Sequence, residues 1–127
     1  MSSGSNIRVR RVYDPPEEDD GTRVLVDRLW PRGISKEHAA VDLWAKEVTP
    51  SKELRTWYHE DPGNRYDDFV DRYRTELGDP AHTEAVQELL ALLRRGGAVT
   101  FVTAVKDVPT SQVPVLVEHL EHSLDHR

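Results

Sequence analysis

VLVDRLWPRG, Val24–Gly33, decides how this chain is read. Val24, Leu25 and Val26 follow one another without a polar interruption, the composition of a strand buried on both faces inside a parallel sheet. Asp27, Arg28, Trp30, Pro31, Arg32 and Gly33 then crowd into the next few positions. Pro31 disfavours helix at Trp30, and Gly33 permits a tight turn, so the strand ends in a shaped, charged loop.

A second stretch repeats the pattern. AVTFVTAV, Ala98–Val105, reads as another buried strand, and Thr103, Lys106 and Asp107 lie at or just beyond its C-terminal end. A helix start follows at Thr110 and Ser111. If the two strands are parallel neighbours, their polar ends converge at one edge, which is where open α/β sheets bind ligands. A helix N-terminus at that edge favours an anion. Arg28 and Arg32 offer planar paired donors there, Lys106 a point charge and Trp30 a flat surface for a ring. Asp27 either orients an arginine or serves as a base. The competing reading is that Asp27 pairs with one of these arginines and only locks the loop.

Outward from these strands, Ile7–Tyr13 alternates as an edge strand does, and DPPEEDDG, Asp14–Gly21, reads as a solvated loop without the spaced ligands of a cation site. Ser35 caps a short helix through Ala40. VDLWAKEV, Val41–Val48, is ambiguous and leans towards strand. Ser51 caps a helix from Lys52 to Tyr58. Asp61-Pro62 opens a second helix, with Tyr66, Phe69, Val70, Tyr73 and Leu77 at helical spacing. Asp79-Pro80 opens a third, striped by Val86, Leu89, Leu90 and Leu93 and stopped by Gly96-Gly97. Val113, Leu116, Val117, Leu120 and Leu124 share one face of the last, which tolerates Pro114 in its first turn. The expected architecture is α/β, with residues 1–6 a flexible tail and residues 7–125 a single domain. Its sheet should be small, mixed or mostly parallel, of about four strands flanked by helices.

At 127 residues the chain suffices for one core. A formal charge of −6 argues against non-specific nucleic-acid binding by a broad basic face, while leaving room for a local basic pocket. There is no cysteine, hence no disulfide or thiolate site, and a reducing cytoplasmic setting is expected. No apolar run approaches the length of a membrane span, so no membrane partner is expected. HExxH, Walker, GxGxxG and GxSxG motifs are absent, and no cofactor is implied.

Two further clusters carry chemistry. In SKELRTWYHEDP, Ser51–Pro62, Arg55 and His59 stand four apart and share a helical face, which makes His59 a candidate for proton transfer; a histidine that merely ends a helix is the commoner outcome. His119, His122 and His126 fall on one face of the last helix and could gather a metal, but histidines are also favoured at a helix end without one, and no metal is expected. The candidate catalytic residues are therefore Asp27 and His59, and the candidate ligand-binding residues Arg28, Trp30, Arg32, Arg55, Lys106 and Ser111. Homo-oligomeric state is left open.

RRVYDPPEEDDGTRVLVDRLWPRG, then LWAKEVTPSKELRTWYHED, then FVDRYRTEL together resemble the YeaO-like proteins, the DUF488 family, over nearly the whole chain. The resemblance implies a small cytoplasmic α/β protein and brings no established reaction with it. The family pattern emphasises Asp27, Arg28, Trp30, Arg32, Arg55 and Lys106 as they stand here. The chain departs from it near the end: relatives commonly show an asparagine- or serine-histidine-alanine step, where this chain has Ser111, Gln112 and Val113. A glutamine forms hydrogen bonds but does not titrate, so a proton-transfer role for that histidine does not carry over. The expected function is binding of a small phosphate- or carboxylate-bearing ligand at the ends of the central strands, with or without a reaction. The alternative is an interaction or regulatory module for a protein or a specific nucleic acid.

Overall fold

The structure, a computed structural model, describes residues 7–125; the expected tail, residues 1–6, and His126 lie outside the described residues. Four strands, β1 (Ile7–Arg11), β2 (Thr22–Leu25), β3 (Leu43–Trp44) and β4 (Val99–Thr103), stand in the order β1-β4-β2-β3. Every pairing is parallel, so of the mixed and parallel sheets expected, the parallel one forms. Five helices accompany them: α1 (Lys36–Ala39), α2 (Lys52–Glu60), α3 (Pro62–Leu77), α4 (Pro80–Arg94) and α5 (Gln112–Asp125).

Local chemistry explains the helix starts. Ser35 Oγ accepts from the His38 N–H at 3.2 Å, Ser51 Oγ from the Leu54 N–H at 3.1 Å, and the Asp79 carboxylate from the His82 N–H at 3.2 Å. Asp61 makes no such bond; Pro62, whose missing N–H costs nothing in a first turn, begins α3. VDLWAKEV resolves into both of its readings, a two-residue edge strand at Leu43–Trp44 and then a 3₁₀ turn at Lys46–Val48. That turn buries Val48, whose carbonyl accepts the Tyr73 hydroxyl at 2.6 Å.

Because strand side chains alternate, β2 and β4 supply two cores. Val24, Val26, Val99 and Phe101 pack against α2–α5. Leu25 and Val102 point the other way, to Val12 and Ala39 with Trp30 and Ile34 partly buried beside them. The helical layer thus covers one face, and α1 with the flanking loops covers the other.

β1 and β2 lie on either side of β4, so the segment between them has to cross it. That constraint corrects the reading of DPPEEDDG as a wholly solvated loop. Asp20 is 1% exposed, its carbonyl accepts the Thr100 hydroxyl of β4 at 2.8 Å, and its carboxylate meets the buried Arg23 at 2.6 Å. The more exposed acids face β1, Asp19 pairing with Arg8 and Glu17 with Arg10, each at 3.1 Å. Among the described residues, no helix is long and apolar enough to cross a membrane.

Candidate functional site

β2 and β4 run side by side in parallel, with Leu25 opposite Val102. The Val26 N–H continues the ladder to the Val102 carbonyl at 3.1 Å, which delivers Asp27 to the end of β4. There its Oδ1 accepts the Thr103 hydroxyl at 2.6 Å and the Gln112 side-chain amide at 3.2 Å, while Oδ2 accepts the Ala104 N–H at 2.7 Å. Gln112 also donates to the Val26 carbonyl at 3.0 Å, and the Trp44 indole donates to the Asp27 carbonyl at 2.7 Å. One carboxylate therefore joins β2, β4 and the first residue of α5. No arginine lies within ion-pair distance of it among the described residues, so Asp27 neither orients Arg28 or Arg32 nor braces the loop through them.

Burial pushes the Asp27 carboxyl above the ordinary aspartate value, against the hydrogen bonds from Thr103, Ala104 and Gln112 that favour its charge. A carboxyl raised in the folded state costs stability when ionised, and that cost disappears as the pH falls below the unfolded value. Asp27→Asn is expected to lower stability at pH 7 by about 1–3 kcal/mol, because both carboxylate oxygens accept hydrogen bonds and the amide nitrogen must face one of those donors. In urea unfolding the loss should widen as the pH falls towards about 4, since only the carboxyl is relieved by protonation. Unchanged or raised stability at pH 7 would mean that burial of the charge outweighs the three bonds it accepts.

Beside Asp27 opens a cavity of about 560 Å³, within the size range of small-molecule sites. The loop after β2 contributes Arg28 and Arg32, and α2 contributes Arg55, Tyr58 and His59. Tyr58 stacks on Phe69 of α3 with ring centres 4.4 Å apart, and its hydroxyl donates to the Thr110 carbonyl at 2.8 Å. Tyr66 likewise reaches the Ser111 carbonyl at 3.1 Å. These two phenols tie the start of α5 to α2 and α3, and burial raises the pKa of both. Arg28 makes one long contact, 3.4 Å to the Thr49 hydroxyl. Among the described residues neither Arg28, Arg32 nor Arg55 forms an ion pair with a carboxylate, and Arg55 Nε is buried without a hydrogen-bond partner.

The other expected site residues divide. Trp30 reaches the cavity wall but is firmly held, its indole donating to the Ile34 carbonyl at 2.9 Å and its ring set edge-on to Trp44 at 5.6 Å. Ser111 also lines the cavity, although its hydroxyl serves the helix start, donating to the Val108 carbonyl at 2.7 Å and accepting the Val113 N–H at 3.1 Å. His59 is exposed at the cavity, and no hydrogen bond joins it to Asp27. Lys106 is exposed in the loop after β4; its neighbours Val105 and Asp107 line the cavity and it does not. Three further contributors were not among the candidate site residues. Gln112 pins Asp27, Thr49 meets Arg28, and Tyr13 donates to the Arg32 carbonyl at 2.9 Å. A polar residue on the first turn of the helix that follows a central strand was the available signal for Gln112.

The histidines of α5 stand elsewhere. His119 and His122 line a second cleft with Arg94, while His126 lies outside the described residues. Among the described residues, the acidic group that comes together closely enough to hold an ion is Glu17, Asp19 and Asp20, and those carboxylates already face arginines.

A family model described as "Inactive DUF488-N3 subclade" matches residues 6–127. An uncharacterised protein of Mycobacterium tuberculosis (strain ATCC 25618 / H37Rv) is 49% identical over 120 residues, covering 94% of this chain and 98% of its own length. A Mycobacterium bovis protein, also uncharacterised, is similar to the same degree. The uncharacterised protein YeaO of Escherichia coli (strain K12) is 42% identical over 115 residues, 91% of this chain and 96% of its own. No solved structure matches the chain.

Proposed function

The chain belongs to the DUF488 family, with YeaO among its relatives, and from that premise we propose that it binds a small organic anion at the C-terminal ends of β2 and β4 without transforming it. The observation that carries this reading is the charge left over in the cavity. A protein of formal charge −6 places three arginines there with no carboxylate partner among the described residues. Arg28 and Arg55 are half-buried and Arg55 Nε is buried without a hydrogen-bond partner, while Arg32 stands exposed at the cavity; an oxyanion supplies the partner the half-buried pair lacks. The 14-residue helix α5 starts at the same place and adds its N-terminal partial charge.

Binding without turnover is supported by the state of Asp27. Both of its oxygens are occupied by donors from the fold, and Gln112, the α5 side chain that bonds to it, does not titrate. The description of the matching subclade as inactive agrees. Asp27 then holds the ends of the strands in position and Arg28, Arg32 and Arg55 meet the ligand. With no cysteine in the chain, the reducing cytoplasm is the proposed setting.

Thermal unfolding in a series of phosphate and phosphate-ester concentrations tests this. A bound anion at a hundredfold excess over its Kd adds about 2.7 kcal/mol, a rise of several degrees for a domain of this size. Arg28→Ala and Arg55→Ala are expected to keep the unliganded melting temperature within a few degrees and to lose the rise. No rise with any of these anions, or an equal rise in both variants, refutes the proposal.

A further inference from the structure

The cavity is too large and too apolar for a bare anion. Beyond its arginines it is walled by Pro31, Pro50, Pro62 and the stacked pair Tyr58 and Phe69. At the rim Leu29 is 72% exposed and Tyr13 43% exposed, the two most solvent-accessible of the large apolar side chains of the described residues, and both line the cavity. Large apolar groups gathered at the mouth of a pocket mark a surface that a ligand covers.

The number of arginines bears on the head group. One guanidinium fork saturates the two oxygens of a carboxylate, which carries a single charge. A phosphate monoester presents three terminal oxygens and a charge between about −1.5 and −2 at pH 7. Three guanidinium groups fit the second better than the first.

Resting on the anion-binding reading above, we propose that the ligand is a phosphate monoester of a flat, ring-sized apolar or heterocyclic group. Its phosphate would be met by Arg28, Arg32 and Arg55, and its ring would lie against the Tyr58–Phe69 wall beneath Leu29. Asp107, which also lines the cavity, lies close enough to Tyr58 and Tyr66 to act on them electrostatically. It would repel a second phosphate placed at that end, so the ligand carries its charge at one end only.

Calorimetric titration of the intact protein with phenyl phosphate, methyl phosphate, benzoate and phenol separates the possibilities. Phenyl phosphate is expected to bind at least about tenfold more tightly than methyl phosphate or benzoate, and phenol to bind too weakly to measure. Leu29→Ser alters an exposed side chain and spares the fold; it should reduce the preference for phenyl over methyl phosphate at least about threefold while leaving methyl phosphate unchanged. Methyl phosphate binding as tightly as phenyl phosphate overturns the ring assignment and leaves the anion site standing. Benzoate binding more tightly than phenyl phosphate overturns the phosphate assignment in the same way. Binding of phenol alone, or of none of the four, removes both this inference and the reading beneath it.

Discussion

Arg23→Leu is expected to lower the free energy of unfolding by about 3–5 kcal/mol at pH 7, read from urea titrations. Arg23 is 3% exposed and Asp20 1% exposed. The guanidinium donates Nη1 to Asp20 Oδ2 at 2.6 Å and Nε and Nη2 to the Ala39 carbonyl at 3.2 and 2.9 Å. Leucine fills part of the volume and leaves a buried carboxylate held by the Glu17 N–H and a distant Arg10, whose Nε is 3.9 Å away. Burial alone pushes the Asp20 carboxyl up, but the Glu17 N–H and the Arg23 guanidinium prevail and hold it below its ordinary 3.8. A depressed carboxyl gives stability that is present above the unfolded value and lost as the pH falls through the folded one. Wild type therefore loses stability on acidification while the variant is relieved by protonation, and their difference should narrow towards about pH 4 and below. The double variant Asp20→Leu with Arg23→Leu is expected to regain part of the loss, because no charge is then left buried alone.

That pair lies at the opposite end of the sheet from the cavity, and the two ends use their charges differently. At the start of β2 and β4, the Asp20 carboxylate is paired with Arg23 through Oδ2 and its carbonyl takes the Thr100 hydroxyl, while Oδ1 has no hydrogen bond. At the finish, Arg28, Arg32 and Arg55 stay without ion-pair partners among the described residues. Substitutions at the first end should therefore act on folding and those at the second on ligand affinity. This contrast gives the proposed arginine variants an internal control: a protein that loses anion binding and stability together has been damaged at the wrong end.

Much of this was legible in the chain, and the limits have physical reasons. β2 and β4 announced themselves because a strand covered on both faces must be apolar throughout, as Val24–Val26 and most of Val99–Val102 are. Their adjacency, on which the site depends, was a topological guess, since periodicity within a strand says nothing about its neighbour. The acidic loop was misread because four successive acids resemble a solvated run, whereas the crossing over β4 buries one of them on an arginine three residues later. Asp27 stood out as a candidate catalytic residue, but its partners could not be read from the chain: Thr103 and Gln112 are 76 and 85 residues away along it. Lys106 was assigned to the site by its position after β4, and the loop turns its side chain into solvent.

Gly21→Ala is expected to destabilise the protein by about 3 kcal/mol or more, enough to lower the melting temperature by roughly 10 °C. Gly21 has φ +67° and ψ −136°, a region that side-chain-bearing residues avoid. A Cβ there would run into the backbone of Ala98, with the carbonyl oxygen closest and the carbonyl carbon at 2.6 Å. The same carbonyl accepts the Thr22 N–H at 3.0 Å and so begins the pairing of β2 with β4. Backbone cannot give way as a flexible side chain can, so the methyl group must push apart the two strands whose far ends form the cavity. Gly33, with φ +76° and no atom within 4 Å of the place a Cβ would take, supplies the comparison. Gly33→Ala bears the conformational cost alone, about 1–2 kcal/mol. Equal losses in the two variants would mean that backbone conformation accounts for Gly21 and that its close approach to Ala98 contributes nothing. A clearly larger loss at Gly21 would show that the close approach to Ala98, and not backbone conformation alone, requires glycine at the start of the β2–β4 pair.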